Sequence, residues 1–169
     1  VPARLGELVG EYVLAMYMND DASIIFGREV FGEPKKQATT QLRRANGRAS
    51  AWVERYGERI LTLEAELTED TGPLDDKSLN FNIKALAATD GQGIEGDAIV
   101  TAADFDVHFT STMAGQGAVA VLGNGHDPLD SIPLGEMRGA TWHEGDLLAR
   151  ARSVATIPGE QFAPYYSAR

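Results

Sequence analysis

Cysteine is absent from the 169 residues, which excludes disulfide scaffolds, thiolate zinc sites and thiol nucleophiles and leaves the redox compartment open. Long apolar runs are missing too. Tyr12 to Tyr17, inside Glu11 to Asn19, is among the longest, well short of the roughly 18–20 residues of a membrane span. Positive charge is scarce, with 15 Lys and Arg against 25 Asp and Glu and a formal net charge of −10. Such a surface repels phosphate backbones unless a basic stripe offsets it, and the densest one, Arg43, Arg44 and Arg48, is short and interrupted. Nucleic acid and membrane are therefore not expected partners. No basic segment followed by an apolar one marks a targeting peptide, although the chain opens on Val1-Pro2 and so looks cut. The expectation is a soluble, cytoplasmic protein.

Hydrophobic residues make up 43% and charged residues 24%, near ordinary globular values, so residues 1–169 read as one domain with a packed core. Glycine is abundant, 18 residues, which suggests many turns joining short elements. Leu61, Leu63, Ala65 and Leu67 alternate with Thr62, Glu64 and Glu66, the period-2 signature of a strand buried on one face. Leu79, Phe81, Ile83 and Ala85 repeat it against Asn80, Asn82 and Lys84. Phe105, Val107 and Phe109 do so against Asp104, Asp106 and His108. Further strands are expected at Glu11 to Met18, Ala22 to Glu29, Ala118 to Leu122, Met137 to His143 and Leu147 to Thr156. Asn46-Gly47 is a strong type I′ hairpin signal and Tyr56-Gly57 marks the next turn. Only Pro128 to Leu134 and Glu160 to Ser167 read as short helices. The fold class is mainly β with few helices, an antiparallel barrel or sandwich.

Several motifs dissolve on inspection. Gly91-Gln92-Gly93-Ile94-Glu95-Gly96 spells a dinucleotide fingerprint, but the strand-like Asp97 to Thr101 follows where a helix N-terminus must receive the pyrophosphate, so a hairpin loop is expected. Gly115-Gln116-Gly117 fails in the same way. His108, His126 and His143 lie far apart without a ligand spacing, so surface or turn roles are expected and no metal site. His126-Asp127 suggests an acid/base pair, but no serine stands in a nucleophile elbow. Asp20 and Asp21 read as turn residues.

Gly27-Arg28-Glu29-Val30-Phe31-Gly32-Glu33-Pro34-Lys35-Lys36 is different: a glycine-rich, proline-fixed turn presents two lysines after the apolar segment Ser23-Ile24-Ile25-Phe26, read as a strand. By itself a Lys-Lys pair on a loop is a solvated surface feature. In its context this stretch resembles the acetoacetate decarboxylase family, whose members carry Gly-Arg-Glu followed by Pro-Lys-Lys. Tyr12 to Asp20 resembles the family's strand before the motif, and Asp127-Pro128-Leu129-Asp130-Ser131-Ile132-Pro133 resembles a late segment. The resemblance covers nearly the whole chain. It implies an antiparallel β-barrel-like fold, a homo-oligomer, and a Schiff base on Lys35 with Lys36 as its neighbour, with no metal or organic cofactor. Family subunits are longer at the N-terminus, and that part contributes an arginine and carboxylates to the site. The chain is then a fragment, or a separate chain supplies those groups.

An amine attacks a ketone only when neutral, and a free lysine, at a pKa near 10.4, is protonated in neutral water. Burial and a neighbouring cation both disfavour the ammonium. Successive side chains of an extended chain point to opposite faces, so Lys36 should turn away from Lys35, leaving desolvation by Phe31, Met16 and Tyr17 as the larger influence. The same alternation puts Glu33 on the face of Lys35 if Pro34 is extended. Glu33 departs from family members with an aromatic residue there. A carboxylate so placed favours the ammonium and repels an acidic substrate, yet it suits relatives that use the imine for aldol, dehydration or cyclisation steps, with a carboxylate or phenol moving protons. Glu33 joins Lys35 and Lys36 as a candidate catalytic group. Arg28, as a ligand for the substrate carboxylate, and Met16, Phe31 and Tyr165 are candidate substrate-binding groups; Arg28 and Glu29 should face opposite sides of their strand. The leading expectation is a lyase that decarboxylates a small β-keto acid such as acetoacetate. The alternatives are an aldolase-dehydratase acting on pyruvate-like oxo-acids, and a noncatalytic β-barrel that binds a small acid.

Overall fold

Alternating patterns joined by glycine turns produce long antiparallel ladders, and the computed structural model, which describes residues 1–166, is built around one of them. Strand β9 (Ile94–Val121) is its spine. Strand β10 (Ala140–Ile157) pairs with Ala98–Gly115 of β9, β8 (Leu74–Ala87) with Ile94–Phe109, and β7 (Glu58–Asp70) with Met113–Val121, all antiparallel. Because β10 overlaps the registers of both β7 and β8, those two strands lie end to end along the opposite side of β9. Strand β6 (Arg48–Arg55) pairs with β7, and β5 (Thr39–Ala45) with β6. On the far side, β2 (Leu8–Tyr12) runs parallel to β8 for two residues and carries β1 (Pro2–Leu5) antiparallel at its outer edge. A second, two-stranded parallel sheet pairs β3 (Met16–Met18) with β4 (Lys35–Gln37).

The hairpins follow from the turn residues. Asn46 and Gly47 take φ of 51° and 74°, and Tyr56 and Gly57 take 54° and 80°, the positive pairs that match the twist of antiparallel strands. The glycine-rich 88–93 segment is the loop between β8 and β9, as expected. The mainly β reading holds, but the sheet is not closed into a barrel: β1, β5 and β10 are left as edges among the described residues.

The helical segments required correction. Ala22 to Glu29 is not a strand. Asp20 accepts a hydrogen bond from the Ser23 amide at 2.7 Å, caps helix α1 (Asp21–Phe26), and the chain continues into a wider π turn over Gly27–Phe31. Adjacent β-branched Ile24 and Ile25 mimic a strand in so short a segment, while the Asp20-Asp21 start signal was the informative feature. Arg28 and Glu29 consequently do not alternate across a strand. Glu11 to Met18 splits, because Val13 leaves β8 after donating to the Phe81 carbonyl and β3 finds a new partner in β4. Met137 to Gly139 precede β10, and only Leu129–Ser131 of Pro128 to Leu134 forms a helical turn. Helix α2 (Gly159–Tyr166) matches the expected terminal helix, with Ser167 outside the described residues.

The core centres on Ile60, Leu67 and Phe81 with Ala98, Ala102 and Ala103. Consecutive burial at Thr101, Ala102 and Ala103 means β9 is covered on both faces there, and both α2 and the 27–31 turn pack against it. That cover also corrects the reading of Asn82, expected on a polar face but 1% exposed.

Candidate active site

The site grows from the corner where α1 gives way to the π turn. Such wide turns displace the backbone from regular helix and recur at functional sites. Thr101 Oγ1 donates to the carbonyls of Phe31 at 2.5 Å and Asn82 at 3.4 Å, pinning the turn to the large sheet. Gly32 ends it at φ 75°, in the left-handed region, with Lys84 so close that a Cβ would lie 2.8 Å from its backbone nitrogen. Pro34 then delivers Lys35 and Lys36 into β4, where Lys35 is in register with Met16 and Lys36 with Tyr17. Arg28 Nη1 donates to the Lys35 carbonyl at 3.2 Å, joining the two halves of the motif through the backbone.

Lys35 is shielded, its side chain 14% exposed, and its Nζ lies 2.8 Å from Oε2 of Glu33, which is 5% exposed. The contact is an ion pair by distance, but its angles do not make a hydrogen bond, and Oε2 has no other donor. Gly27 makes room for both groups. Its φ of −65° is ordinary, but a Cβ would stand 2.4 Å from Glu33 Oε2 and 2.6 Å from Lys35 Nζ. Nearby, the Ser23 amide favours the ionised form of Asp20, with a smaller contribution from the Lys35 charge.

Lys36 points elsewhere. Its Nζ donates to Asp127 Oδ1 at 2.6 Å, Arg55 Nε donates to Oδ2 at 2.8 Å, and the Tyr17 hydroxyl donates to Oδ1 at 3.2 Å. Burial alone would push the Asp127 carboxyl up, but hydrogen bonds and charge from Lys36 and Arg55 outweigh it and hold the group below the usual carboxylate range. Burial, aided by the Asp127 charge and hydrogen bond and opposed by Arg55, pushes the Tyr17 phenol up to about 12. Arg55 also donates through Nη1 to the Gln37 carbonyl, and Asn124 Nδ2 donates to the Arg55 carbonyl.

The expected groups therefore separate. Lys35, Glu33, Arg28 and Met16 gather around the π turn, and Phe31 borders them with its ring edge-on to Phe26 at 5.4 Å. A groove of about 760 Å³ runs past Arg28, Glu33, Pro34 and Lys36 to Asn82, Lys84, Phe162 and Tyr166; Lys35 itself does not line it. Tyr165 is 78% exposed and outside this groove, whereas Tyr166, one residue on, lines it. Asn82 lines it too, with neither side-chain polar atom satisfied. Asp127 and Arg55 were missed as site groups. Asp127 carried a signal, a carboxylate in the late segment beside His126, but the pairing with Lys36 spans 91 positions. His126 instead packs against Tyr56, the rings tilted at 49° with centroids 4.6 Å apart. Of the basic stripe, Arg44 pairs with Glu144 at 2.5 Å, while Arg43 and Arg48 line a separate groove of about 740 Å³. No group of three or more metal-ligating side chains occurs among the described residues.

A shielded lysine beside a buried carboxylate thus sits where a short parallel pair begins, in a mainly β chain with an open mixed sheet. The family model described as acetoacetate decarboxylase (ADC) matches residues 1–156, and the chain belongs to this family. No curated protein matches it. Among solved structures, the chain is similar to acetoacetate decarboxylase from Legionella pneumophila subsp. pneumophila str. Philadelphia 1, at 20% identity and a TM-score of 0.79, covering 92% of this chain and 64% of that one. It is also similar to the enduracididine biosynthesis enzyme MppR, at 14% identity and a TM-score of 0.71 over 92% and 62% of the two chains. An acetoacetate decarboxylase-like enzyme from Sphingomonas wittichii RW1 gives 13% identity and 0.71 over 93% and 65%. These identities establish a shared fold, and the chain spans less than two thirds of those relatives' length.

Proposed function

We propose that the chain carries the reactive lysine of an imine-forming enzyme acting on a small oxo-acid, with decarboxylation of a β-keto acid such as acetoacetate as the first reading. The observation that carries it is the shielded Lys35 amine 2.8 Å from the Glu33 carboxylate, in the family's motif. Lys35 passes its proton to Glu33, and the neutral nitrogen forms a bond to the ketone carbon. The carbonyl oxygen, protonated twice, leaves as water and yields a cationic imine. The bond to the carboxylate carbon then breaks, carbon dioxide departs, and its electron pair moves to the imine nitrogen. The resulting enamine takes a proton on carbon, and water releases the ketone and the amine. Arg28 and Met16 flank this position, while the groove beside Glu33 offers a route to it.

Glu33 favours a second reading, aldol-dehydratase chemistry on a pyruvate-like acid. A carboxylate beside the imine can remove the adjacent C–H proton, leaving an enamine that attacks an aldehyde, and the same carboxyl can protonate the departing hydroxyl. A solved relative, MppR, has been captured with the condensation product of pyruvate and imidazole 4-carboxaldehyde, which supports this variant within the fold. A homo-oligomer belongs to the same reading, supported by exposed Leu147 and Leu148 on the edge strand β10.

The test incubates the intact protein with acetoacetate or pyruvate, reduces it with borohydride and maps the adduct. An adduct at Lys35 is expected. Carbon dioxide with acetone marks the decarboxylase, and carbon–carbon bond formation with an aldehyde marks the second reading. No adduct, with turnover surviving Lys35→Ala, rejects the imine, whereas no adduct and no turnover favour a noncatalytic small-acid-binding protein.

A further inference from the structure

Two residues on the wall of the groove bury polar side-chain atoms that have no hydrogen-bond partner among the described residues: Glu33 at Oε2, and Asn82 at both Oδ1 and Nδ2. Glu33 Oε2 has the Lys35 charge beside it. Asn82, only 1% exposed, has neither a partner nor water. Its place follows from the sheet register. Asn82 lies directly opposite Thr101, so the two side chains stand on one face of the β8–β9 ladder. The Thr101 hydroxyl donates to the Phe31 carbonyl, which sets that face beneath the π turn. Lys84, next on the same face, approaches so closely that its Cβ would lie 2.8 Å from a Cβ on Gly32. The Asn82 amide is therefore held between the large sheet and the turn that leads into Glu33 and Lys35.

A buried amide with both its donor and its acceptor idle weakens the free protein, and a leucine of similar shape would not. The loss is offset when a ligand brings its own donor and acceptor. Resting on the imine reading above, we propose that Asn82 is a specificity-determining residue that binds the tail of the oxo-acid, through a planar group carrying a donor and an acceptor side by side. A carboxamide is the simplest such group: its N–H donates to Oδ1 while its carbonyl accepts from Nδ2, as two amides pair. A second carboxylate in the tail fits worse, because it has no donor for Oδ1 and because Glu29 and Glu33 already put negative charge on the same wall. An apolar tail leaves both Asn82 groups unpaired. The acid end of the ligand is served by Arg28 and Lys84, which line the same groove of about 760 Å³.

Three acids of nearly one shape separate these cases without forming an imine: succinamate with its carboxamide, succinate with a second carboxylate, and isocaproate with an apolar branch. Calorimetric titration of the intact protein should show succinamate binding about tenfold or more tighter than either of the others. In Asn82→Leu the preference should reverse, with isocaproate the tighter ligand. The same variant should unfold about 2–4 °C higher than the native protein, because two idle buried polar atoms are gone. Equal binding of succinamate and isocaproate by the native protein overturns the proposal, as does no binding of any of the three. So does an equal loss of both ligands in Asn82→Leu with a lower unfolding midpoint, which would mean that Asn82 only shapes the groove. If Asn82→Leu does not fold, the native ratio of succinamate to isocaproate decides. Borohydride trapping at Lys35 with the matching oxo-acids, ketosuccinamate and ketoisocaproate, should follow the same order of half-saturating concentrations. No trapped adduct alongside selective succinamate binding refutes the imine reading and leaves the role of Asn82 standing.

Discussion

The Glu33–Lys35 pair and the Asp127 cluster lie on one three-residue strand and its approach, yet the first is sparse and the second saturated. Glu33 and Lys35 are two positions apart and meet through local backbone geometry, with room provided by Gly27. Asp127 draws its partners from positions 17, 36 and 55, and every donor satisfies a lone pair of a carboxylate that has no contact with water. On the proposed imine reading the contrast separates chemistry from anchorage: the pair that exchanges a proton is under-coordinated, and its neighbouring cluster is fully coordinated.

The comparison breaks first at Lys35. Lys35→Ala should reduce borohydride-trapped adduct by roughly tenfold or more and leave only slow, nonselective trapping at the other amines, with mass mapping as the readout. Next, denaturant unfolding should rank the two carboxylates. Asp127→Ala leaves Lys36 and Arg55 without their counterion and should destabilise by about 3–5 kcal/mol. Glu33→Gln should be milder, because one cation rather than two loses its counterion. Equal losses would erase the distinction. The depressed Asp127 carboxyl also gives a pH sign: its contribution is present above the unfolded-state value near 4 and disappears as pH falls through the lower folded-state value.

Gly27→Ala should destabilise by about 1–3 kcal/mol, because the added methyl overlaps Glu33 and Lys35, and it should slow trapping at Lys35. Loss of stability without slower trapping would detach Gly27 from the reactive pair. The smallest effect is expected from Tyr17→Phe, about 1 kcal/mol for one hydrogen bond. In the native protein the Tyr17 phenol, raised from 10.0 to about 12, should be the last tyrosine to ionise. Its stabilising contribution is complete below pH 10 and is lost as pH rises toward 12, so ultraviolet titration of phenolate and alkaline unfolding should both change in the variant.

Much of the β framework was readable because strand pairing leaves a local imprint. Leu79 to Ala85 alternates as β8, and Asn46-Gly47 takes the positive φ pair its residue types favour. The nearness of Glu33 and Lys35 was also anticipated, but by another route than the extended Pro34 expected: the Lys35 amide donates to the Glu33 carbonyl at 2.8 Å, a tight three-residue turn about Pro34. The helix at Asp21–Phe26 escaped because six residues are too few to display a helical period, and paired isoleucines favour the strand reading. Asn82 escaped for another reason: its burial comes from a turn some fifty positions earlier, which the alternation within β8 does not register.

Local order thus prescribed the strands, the hairpins and the proximity of one lysine to one carboxylate, because each depends on side-chain direction and φ within a few residues. The fate of Lys36, the burial of Asp127 and the shared grip of Tyr17 and Arg55 depended on the packing of β3, β4, β6 and the connection after β9. Those contacts bridge 72 to 110 positions, and no local periodicity carries information over such separations.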